Sequence, residues 1–153
     1  DVSCTFVSRT RPDGFAYPWA EAGTSAADEA VAGAELVVTA TSSPSPILSA
    51  EHLRDGAIVL AVGAHTTDTR ELDTDVLAGA QVIVEDVGAA KGEAGDVAIA
   101  VEEGALSWDD VVSMADVVRG DVALDTSRRI VFKTVGMPWE DLAVARALAA
   151  AAS

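Results

Sequence analysis

The chain has 153 residues, half of them hydrophobic, which allows one buried core and predicts a single domain over residues 1–153. Its 25 acidic and 10 basic residues give a formal net charge of −15, and without a basic run this charge argues against nucleic-acid binding. The one cysteine, Cys4, excludes an intrachain disulfide and fits a reducing, cytoplasmic setting. Apolar stretches such as Ala143–Ala152 fall short of the roughly 18 residues that a membrane span needs.

Short runs rich in β-branched residues predict strands, and most are apolar without alternation, as in parallel strands covered on both faces. The predicted strands are Val2–Val7, Leu36–Thr39, Ala57–Val62, Gln81–Val84 and Ile130–Phe132. The predicted helices are Ser25–Ala32, Ser49–Leu53, one that starts at Asp73 or Thr74 near Val76–Ala80, and Pro138–Ala152. Ser25 is the predicted N-cap of the first helix, and Pro138 suits a first helical position because no backbone donor is needed there. This alternation predicts an α/β fold with a doubly wound, mostly parallel sheet.

Residues 88–118 contain no clear strand. Their Gly, Ala and Glu content predicts short helices at Asp96–Glu103 and Trp108–Val117, with Ala98–Val101 as an alternative short strand. Consecutive carboxylates on a helix, as at Glu102–Glu103 and Asp109–Asp110, point in different directions, so we expect no metal site.

Ligands of open α/β sheets bind at the carboxyl ends of the strands, so the loops that follow the strands are the candidate sites. The first predicted strand ends in Ser8, Arg9, Thr10 and Arg11. In dinucleotide-binding folds an acidic residue after the second strand holds the ribose hydroxyls of NAD, while an Arg there accommodates the 2′-phosphate of NADP. Two arginines that flank hydroxyl side chains suit a phosphate, because a guanidinium pairs bidentately with its oxygens. The alternative is a solvated surface turn.

Two further loops have unusual compositions. Thr41 and Ser42 follow the second predicted strand with hydroxyls that can bond to ribose or phosphate, although an ST-turn that ends the strand is equally compatible. After the third strand, Gly63 and Ala64 leave room beside the strand end. His65 lies in the same loop, where a proton donor or acceptor is useful at neutral pH; the alternative is an ordinary surface histidine.

Three segments, in order and spacing, resemble the second half of ornithine cyclodeaminase/mu-crystallin family proteins. They read AELVVTATSSPSPIL, LAVGAHTTDTRELD and IVFKTVGMPWEDLAVARAL. An acidic, Gly-containing motif, EAGDV at Glu93–Val97, also lies where the family has one. The resemblance runs from about Val31 to Ala149.

The resemblance implies a Rossmann-like domain whose TATSS loop contacts a nicotinamide dinucleotide and whose VGAH and KTVG loops lie near the nicotinamide. The cofactor-binding residues that it implies are Thr41, Ser42, Val62, Gly63, Ala64, Val135 and Gly136. Members with SRT at the first loop resemble users of NADP(H), and members with Asp there resemble users of NAD(H). Ser8, Arg9 and Thr10 are therefore expected to favour NADP(H) over NAD(H).

The chain also departs from the family. The strand and Gly-rich turn that would hold the pyrophosphate are absent, and the helix expected after SRT is missing or reduced in Arg11–Gly23. The family's substrate domain, which precedes the Rossmann-like half and holds the amino-acid carboxylate, is not in this chain. Cyclodeaminases carry a catalytic Asp where His65 stands, which argues against cyclodeamination of ornithine.

These observations predict that the chain is a partial dinucleotide-binding domain. A complete relative would reduce a small imino acid, such as a ketimine or pyrroline-2-carboxylate, with NADPH, and His65 is the candidate for the single catalytic proton. The alternatives are an NAD-dependent ammonia-lyase, namely an ornithine cyclodeaminase, a non-catalytic NADPH-binding protein of the mu-crystallin type, and an inactive fragment. The expected partners are a dinucleotide, a small amino or imino acid and, through an exposed apolar surface, a second copy in a homodimer.

Overall fold

The computed structural model describes residues 2–152, whose centre is a five-stranded parallel sheet. The strands are β1 (Phe6–Ser8), β2 (Trp19–Glu21), β3 (Leu36–Thr39), β4 (Ile58–Ala61), β5 (Gln81–Val84), β6 (Val112–Ser113) and β7 (Ile130–Lys133). The five-stranded sheet has the order β3-β4-β7-β5-β6, and β1 and β2 form a separate two-stranded sheet. Every pair of neighbouring strands in the two sheets is parallel. The predicted α/β class is confirmed.

Helices and short 3₁₀ turns connect the strands. The helices are α1 (Ser25–Gly33), α2 (Thr74–Leu77), α3 (Val87–Glu93), α4 (Gly95–Glu102), α5 (Met114–Arg119) and α6 (Pro138–Ala151), with 3₁₀ turns at Ala50–His52 and Trp108–Asp110. The N-cap of α1 is Thr24 rather than the predicted Ser25, because the Thr24 hydroxyl accepts a hydrogen bond from the Ala27 N–H. Across residues 2–152 the helices are too short or too polar to cross a membrane.

The core lies between the five-stranded sheet and the helices that follow β4 and β5. Its side chains come from the sheet and from α2 and α4, and they include Val59, Val82, Val84, Val131, Val76, Leu77, Val97 and Ala100. Full burial of a side chain of Val or Leu size contributes about 1.5–3 kcal/mol each. This packing fixes the positions of β4, β5 and β7, and therefore of the loops that leave their carboxyl ends.

Two of the predictions for residues 88–118 were wrong. Ala98–Val101 belongs to α4, whose buried residues Asp96, Val97 and Ala100 recur at the three- and four-residue spacing of a helix. The predicted helix Trp108–Val117 is instead a 3₁₀ turn, β6 and α5. Its interruption has a local cause, since Ser113 begins α5 by accepting a hydrogen bond from the Asp116 N–H.

The strand β2 was not predicted, because it lies in a segment rich in Pro and Gly and has only three residues. It pairs with β1, which starts at Phe6 rather than at the predicted Val2. Among the described residues, no helix lies between β1 and β2, which agrees with the expectation of a missing or reduced helix in Arg11–Gly23.

A cleft of about 1770 Å³ separates the two sheets, and both β1 and β3 line it. In the sheets β1 pairs with β2 and β3 with β4, so each presents an unpaired edge. In the Rossmann strand order the first strand lies between the second and the fourth. The separation of the two sheets agrees with the expected lack of that strand among residues 2–152. We call this space the inter-sheet cleft.

Candidate functional site

Three loops meet at the carboxyl ends of neighbouring strands. They follow β3, β4 and β7, which lie side by side in the sheet, and they consist of residues 40–43, 62–65 and 134–136. Because the three strands are parallel, all three loops leave from the same edge. We call them the strand-end loops, and they contain most of the predicted cofactor-binding residues.

The first two strand-end loops are joined by one buried carboxylate. The side chain of Glu71 is fully buried and accepts hydrogen bonds from the Thr41 N–H at 2.5 Å, the Gly63 N–H at 2.7 Å and the Thr39 hydroxyl at 2.9 Å. Backbone N–H groups that donate to a carboxylate form stronger hydrogen bonds than neutral pairs do. Glu71 therefore fixes the distance between the loops after β3 and β4.

These donors also set the charge of Glu71. Burial raises the pKa of Glu71, but hydrogen bonds from the hydroxyl and N–H of Thr41, from Gly63 and from Thr39 together lower the pKa below its ordinary value of 4.5. The carboxylate is therefore ionised at neutral pH, although it lies away from water.

The position of Gly63 has no room for a side chain, for a reason that the sequence did not indicate. A Cβ at this position would lie 2.1 Å from the Thr41 carbonyl oxygen and 2.5 Å from Glu71 Oε1. The space beside the end of β4, which was expected to accommodate a ligand, is thus filled by the neighbouring loop and the Glu71 carboxylate. Ala64, the next residue, is also buried, whereas Val62 is 41% exposed.

A second buried carboxylate holds the third strand-end loop. Glu85, which follows β5, accepts hydrogen bonds from the N–H groups of Val135 and Gly136, each at 2.9 Å, and from the Thr134 hydroxyl. Gly136 has a φ of 81°, a left-handed conformation that glycine adopts without strain. The predicted residues Val135 and Gly136 therefore have their backbone donors directed inward to Glu85.

A buried ion pair lies behind Glu71. Asp96 Oδ1 accepts hydrogen bonds from the N–H groups of Glu71 and Leu72 at 2.7 and 2.8 Å, and Asp96 Oδ2 lies 3.4 Å from Lys133 Nζ. Lys133 also donates to the Ala61 carbonyl at the end of β4, at 3.3 Å. Asp96 and Lys133 are each 1% exposed. A buried charge is costly without a partner, so Asp96 and Lys133 have to stay together. Because Asp96 binds the backbone of Glu71 and Lys133 binds the end of β4, the pair fixes these two segments relative to each other.

The predicted phosphate-binding residues lie at the carboxyl end of β1. The Ser8 hydroxyl donates to the Thr10 carbonyl at 2.9 Å and accepts from Trp19 Nε1 at 2.8 Å, so it shapes the turn. Arg9 and Thr10 are exposed. The structure brings Ser8 and Arg9 together with Thr41 and Ser42, because all four line the inter-sheet cleft.

The predicted proton-transfer residue, His65, is exposed in the loop after β4. One ring nitrogen, Nδ1, lies 3.2 Å from the Gly63 carbonyl oxygen, a contact that orients the imidazole if that nitrogen carries the proton. The imidazole is therefore accessible from solvent.

Four charged residues were missed by the sequence analysis: Glu71, Glu85, Asp96 and Lys133. Each is nearly or fully buried, although Glu, Asp and Lys are rarely buried without partners. For Lys133 the sequence did hold one signal of burial, because this lysine directly follows the apolar residues 130–132 of a predicted buried strand. The donors of Glu71 are 8 to 32 residues away, so no local pattern could have revealed its burial.

The five-stranded parallel sheet, with polar loops at the carboxyl ends of its strands, defines a Rossmann-like α/β protein. The iminosuccinate reductase of Paracoccus denitrificans, solved in complex with NAD⁺, superposes with a TM-score of 0.75 and 30% identity, over 86% of this chain and 40% of that one. A family model, the ornithine cyclodeaminase/mu-crystallin family, matches residues 20–153. The chain belongs to that family.

Two relatives with curated names show how much of a family member the chain represents. It is 40% identical to Delta(1)-pyrroline-2-carboxylate reductase 2 of Burkholderia ambifaria over 112 residues, and these residues make up 73% of this chain and 34% of that protein. It is 37% identical to ketimine reductase mu-crystallin of Mus musculus over 123 residues, which make up 80% of this chain and 37% of that protein. The chain thus spans about a third of the length of these relatives.

Proposed function

We propose that residues 1–153 are a single, partial dinucleotide-binding domain of an NADPH-dependent imino-acid reductase. The observation that carries the proposal is the inter-sheet cleft, which Arg9 lines on one side and Thr41 and Ser42 line on the other. The names of the relatives, a pyrroline-2-carboxylate reductase and a ketimine reductase, support an imino acid as the substrate. Because the chain spans about a third of those relatives, its role would be to bind the dinucleotide.

The donor set of the cleft fits a dinucleotide. The Arg9 guanidinium is exposed and can pair with the oxygens of a 2′-phosphate, which favours NADP(H) over NAD(H). The Ser42 hydroxyl can bond to ribose or phosphate, and the oxygen of the Thr41 hydroxyl, which donates to Glu71, can accept from a ribose hydroxyl. When bound, the nicotinamide supplies the hydride. The residues of this chain bind and orient the dinucleotide, and the His65 imidazole is available to give one proton to the imino acid.

A calorimetric titration of this chain with NADPH, and separately with NADH, tests the proposal. We expect Arg9→Ala to weaken NADPH binding by about tenfold to a hundredfold, as for the loss of a charge-assisted hydrogen bond, and to leave NADH binding unchanged. Arg119→Ala is the matched control, since Arg119 is also exposed and pairs with Asp116 and Asp121 on α5 and just beyond it. Equal affinities of wild type and Arg9→Ala for NADPH would refute the phosphate site, and no binding of either nucleotide would refute the proposed function of this chain.

A further inference from the structure

The Glu71 carboxylate joins the chain segments just beyond the ends of β3 and β4. The last backbone bond between these strands runs from the Val62 N–H to the Thr39 carbonyl at 2.8 Å. Beyond it, the N–H groups of Thr41 and Gly63 both turn to Glu71. One side chain thus accepts hydrogen bonds from the backbone of two loops.

The geometry points to Glu71 as a positioning residue, which sets the conformation in which the loops after β3 and β4 face the dinucleotide. This inference rests on the proposed function. Glu71 is fully buried, so a dinucleotide in the cleft would not reach its carboxylate, and its effect has to act through Thr41 and Gly63.

Glu71 is suited to this role because its own backbone is held on two sides. Its N–H donates to Asp96 Oδ1, and its carbonyl accepts hydrogen bonds from the N–H groups of Ile47 and Leu48 at 2.7 and 3.2 Å. The Asp96 side chain is in turn paired with Lys133, which bonds to the end of β4. A carboxylate mounted on a fixed backbone transmits that fixed position to the loops that donate to it.

The chemistry of the contact requires a carboxylate. Both Glu71 oxygens accept, Oε1 from Thr41 and Oε2 from Gly63 and Thr39. In a glutamine of the same shape one of these positions becomes an NH₂ group, which would face an N–H donor and could not accept from it. At least one of the two loops then has to move away or leave its N–H unsatisfied.

The test compares wild type, Glu71→Gln and the core control Val82→Ala by native-state amide exchange and by NADPH titration of the whole chain. Val82 is fully buried in β5, which is not one of the three strands that the strand-end loops follow, so its substitution should lower stability without altering the Glu71 contact. For Glu71→Gln we expect the protection of the Thr41 or Gly63 amide to fall at least about tenfold relative to β5 amides, with NADPH affinity falling about tenfold as well. For Val82→Ala we expect all protected amides to weaken together and the affinity to stay at the wild-type value.

Unchanged relative protection of both Thr41 and Gly63 in Glu71→Gln would overturn the inference, and so would wild-type NADPH affinity in that variant. If Glu71→Gln fails to fold, Glu71→Asp takes its place, because it keeps the charge but is one methylene too short to reach both loops. The same selective loss of protection at Thr41 or Gly63 is then expected, and full protection of both would overturn the inference. Lack of nucleotide binding by wild type would overturn the proposed function, while the exchange data would still decide whether Glu71 sets the loops.

Discussion

At the scale of single residues, the candidate site depends on the pairing of small and acidic residues. Gly63 permits the approach of the Thr41 carbonyl and the Glu71 carboxylate, and Glu71 in turn satisfies the N–H of Gly63. A buried acceptor that takes several donors makes its surroundings sensitive to small changes of volume, because the donors cannot move without losing their partner.

We expect Gly63→Ala to lower the free energy of unfolding by about 1–3 kcal/mol, the usual cost of forcing an extra methyl group into a packed site. Gly92→Ala is the matched control. A Cβ at Gly92, on α3, meets no atom within 4 Å, and alanine favours helices, so its stability should stay equal or rise. Urea unfolding of the three proteins measures the effect. A Gly63→Ala protein as stable as the Gly92→Ala protein would contradict the observed packing.

At the scale of elements, α6 differs from the other helices. It is the longest helix among residues 2–152, at 14 residues, yet it has no buried residue. Its large apolar side chains are about half to two-thirds exposed, and they are Trp139, Leu142, Val144 and Leu148. Such a helix adds little burial to the core, so its contribution to stability should be small.

Ending the chain after Met137 is therefore expected to change the free energy of unfolding by less than about 1 kcal/mol, since no buried residue is lost. Leu77→Ala provides the scale for comparison: Leu77 is fully buried in α2, and its truncation should cost about 2–5 kcal/mol. Denaturant titrations of both variants against wild type measure the two effects. A loss in the shortened chain as large as that of Leu77→Ala would show that α6 packs more tightly than its exposure indicates.

At the scale of the whole molecule, two features oppose each other. The net charge of −15 makes copies of the chain repel one another. Against this, the unpaired edge of β3 carries Leu36 and Val38, which are 54% and 53% exposed. Exposed strand edges with apolar side chains favour association with a second chain.

Association should therefore strengthen with ionic strength, because salt screens the repulsion and leaves apolar contacts intact. The Debye length falls from about 30 Å at about 0.01 M salt to about 3 Å at about 1 M. Sedimentation equilibrium at these two ionic strengths should show a larger associated fraction at the higher one, and Val38→Lys should reduce it by charging the strand edge. A clean monomer under both conditions at high protein concentration would contradict this expectation and the expected exposed association surface with it.

Much of the fold followed from local patterns. The bounds of β3 and β5 agree with the predicted runs, and α6 begins at the predicted Pro138. The apolar runs without alternation indicated parallel strands buried on both faces, and the sheet is parallel. The motifs around Thr41, Gly63 and Gly136 also indicated which loops to compare with a dinucleotide site and which family the chain belongs to.

Tertiary structure decided what local patterns could not encode. β7 lies between β4 and β5, although about 45 to 70 residues separate it from them along the chain. Strand order depends on pairing between distant segments, which local propensity does not encode. The sequence of residues 69–73 reads as a polar loop, yet Glu71 is fully buried, because donors on two other loops and the Asp96–Lys133 pair surround it. The sequence by itself thus determined the class of fold, the family and the loops of the candidate site. Only the tertiary structure decided which buried charges hold those loops, since burial of a charge depends on partners that are distant along the chain.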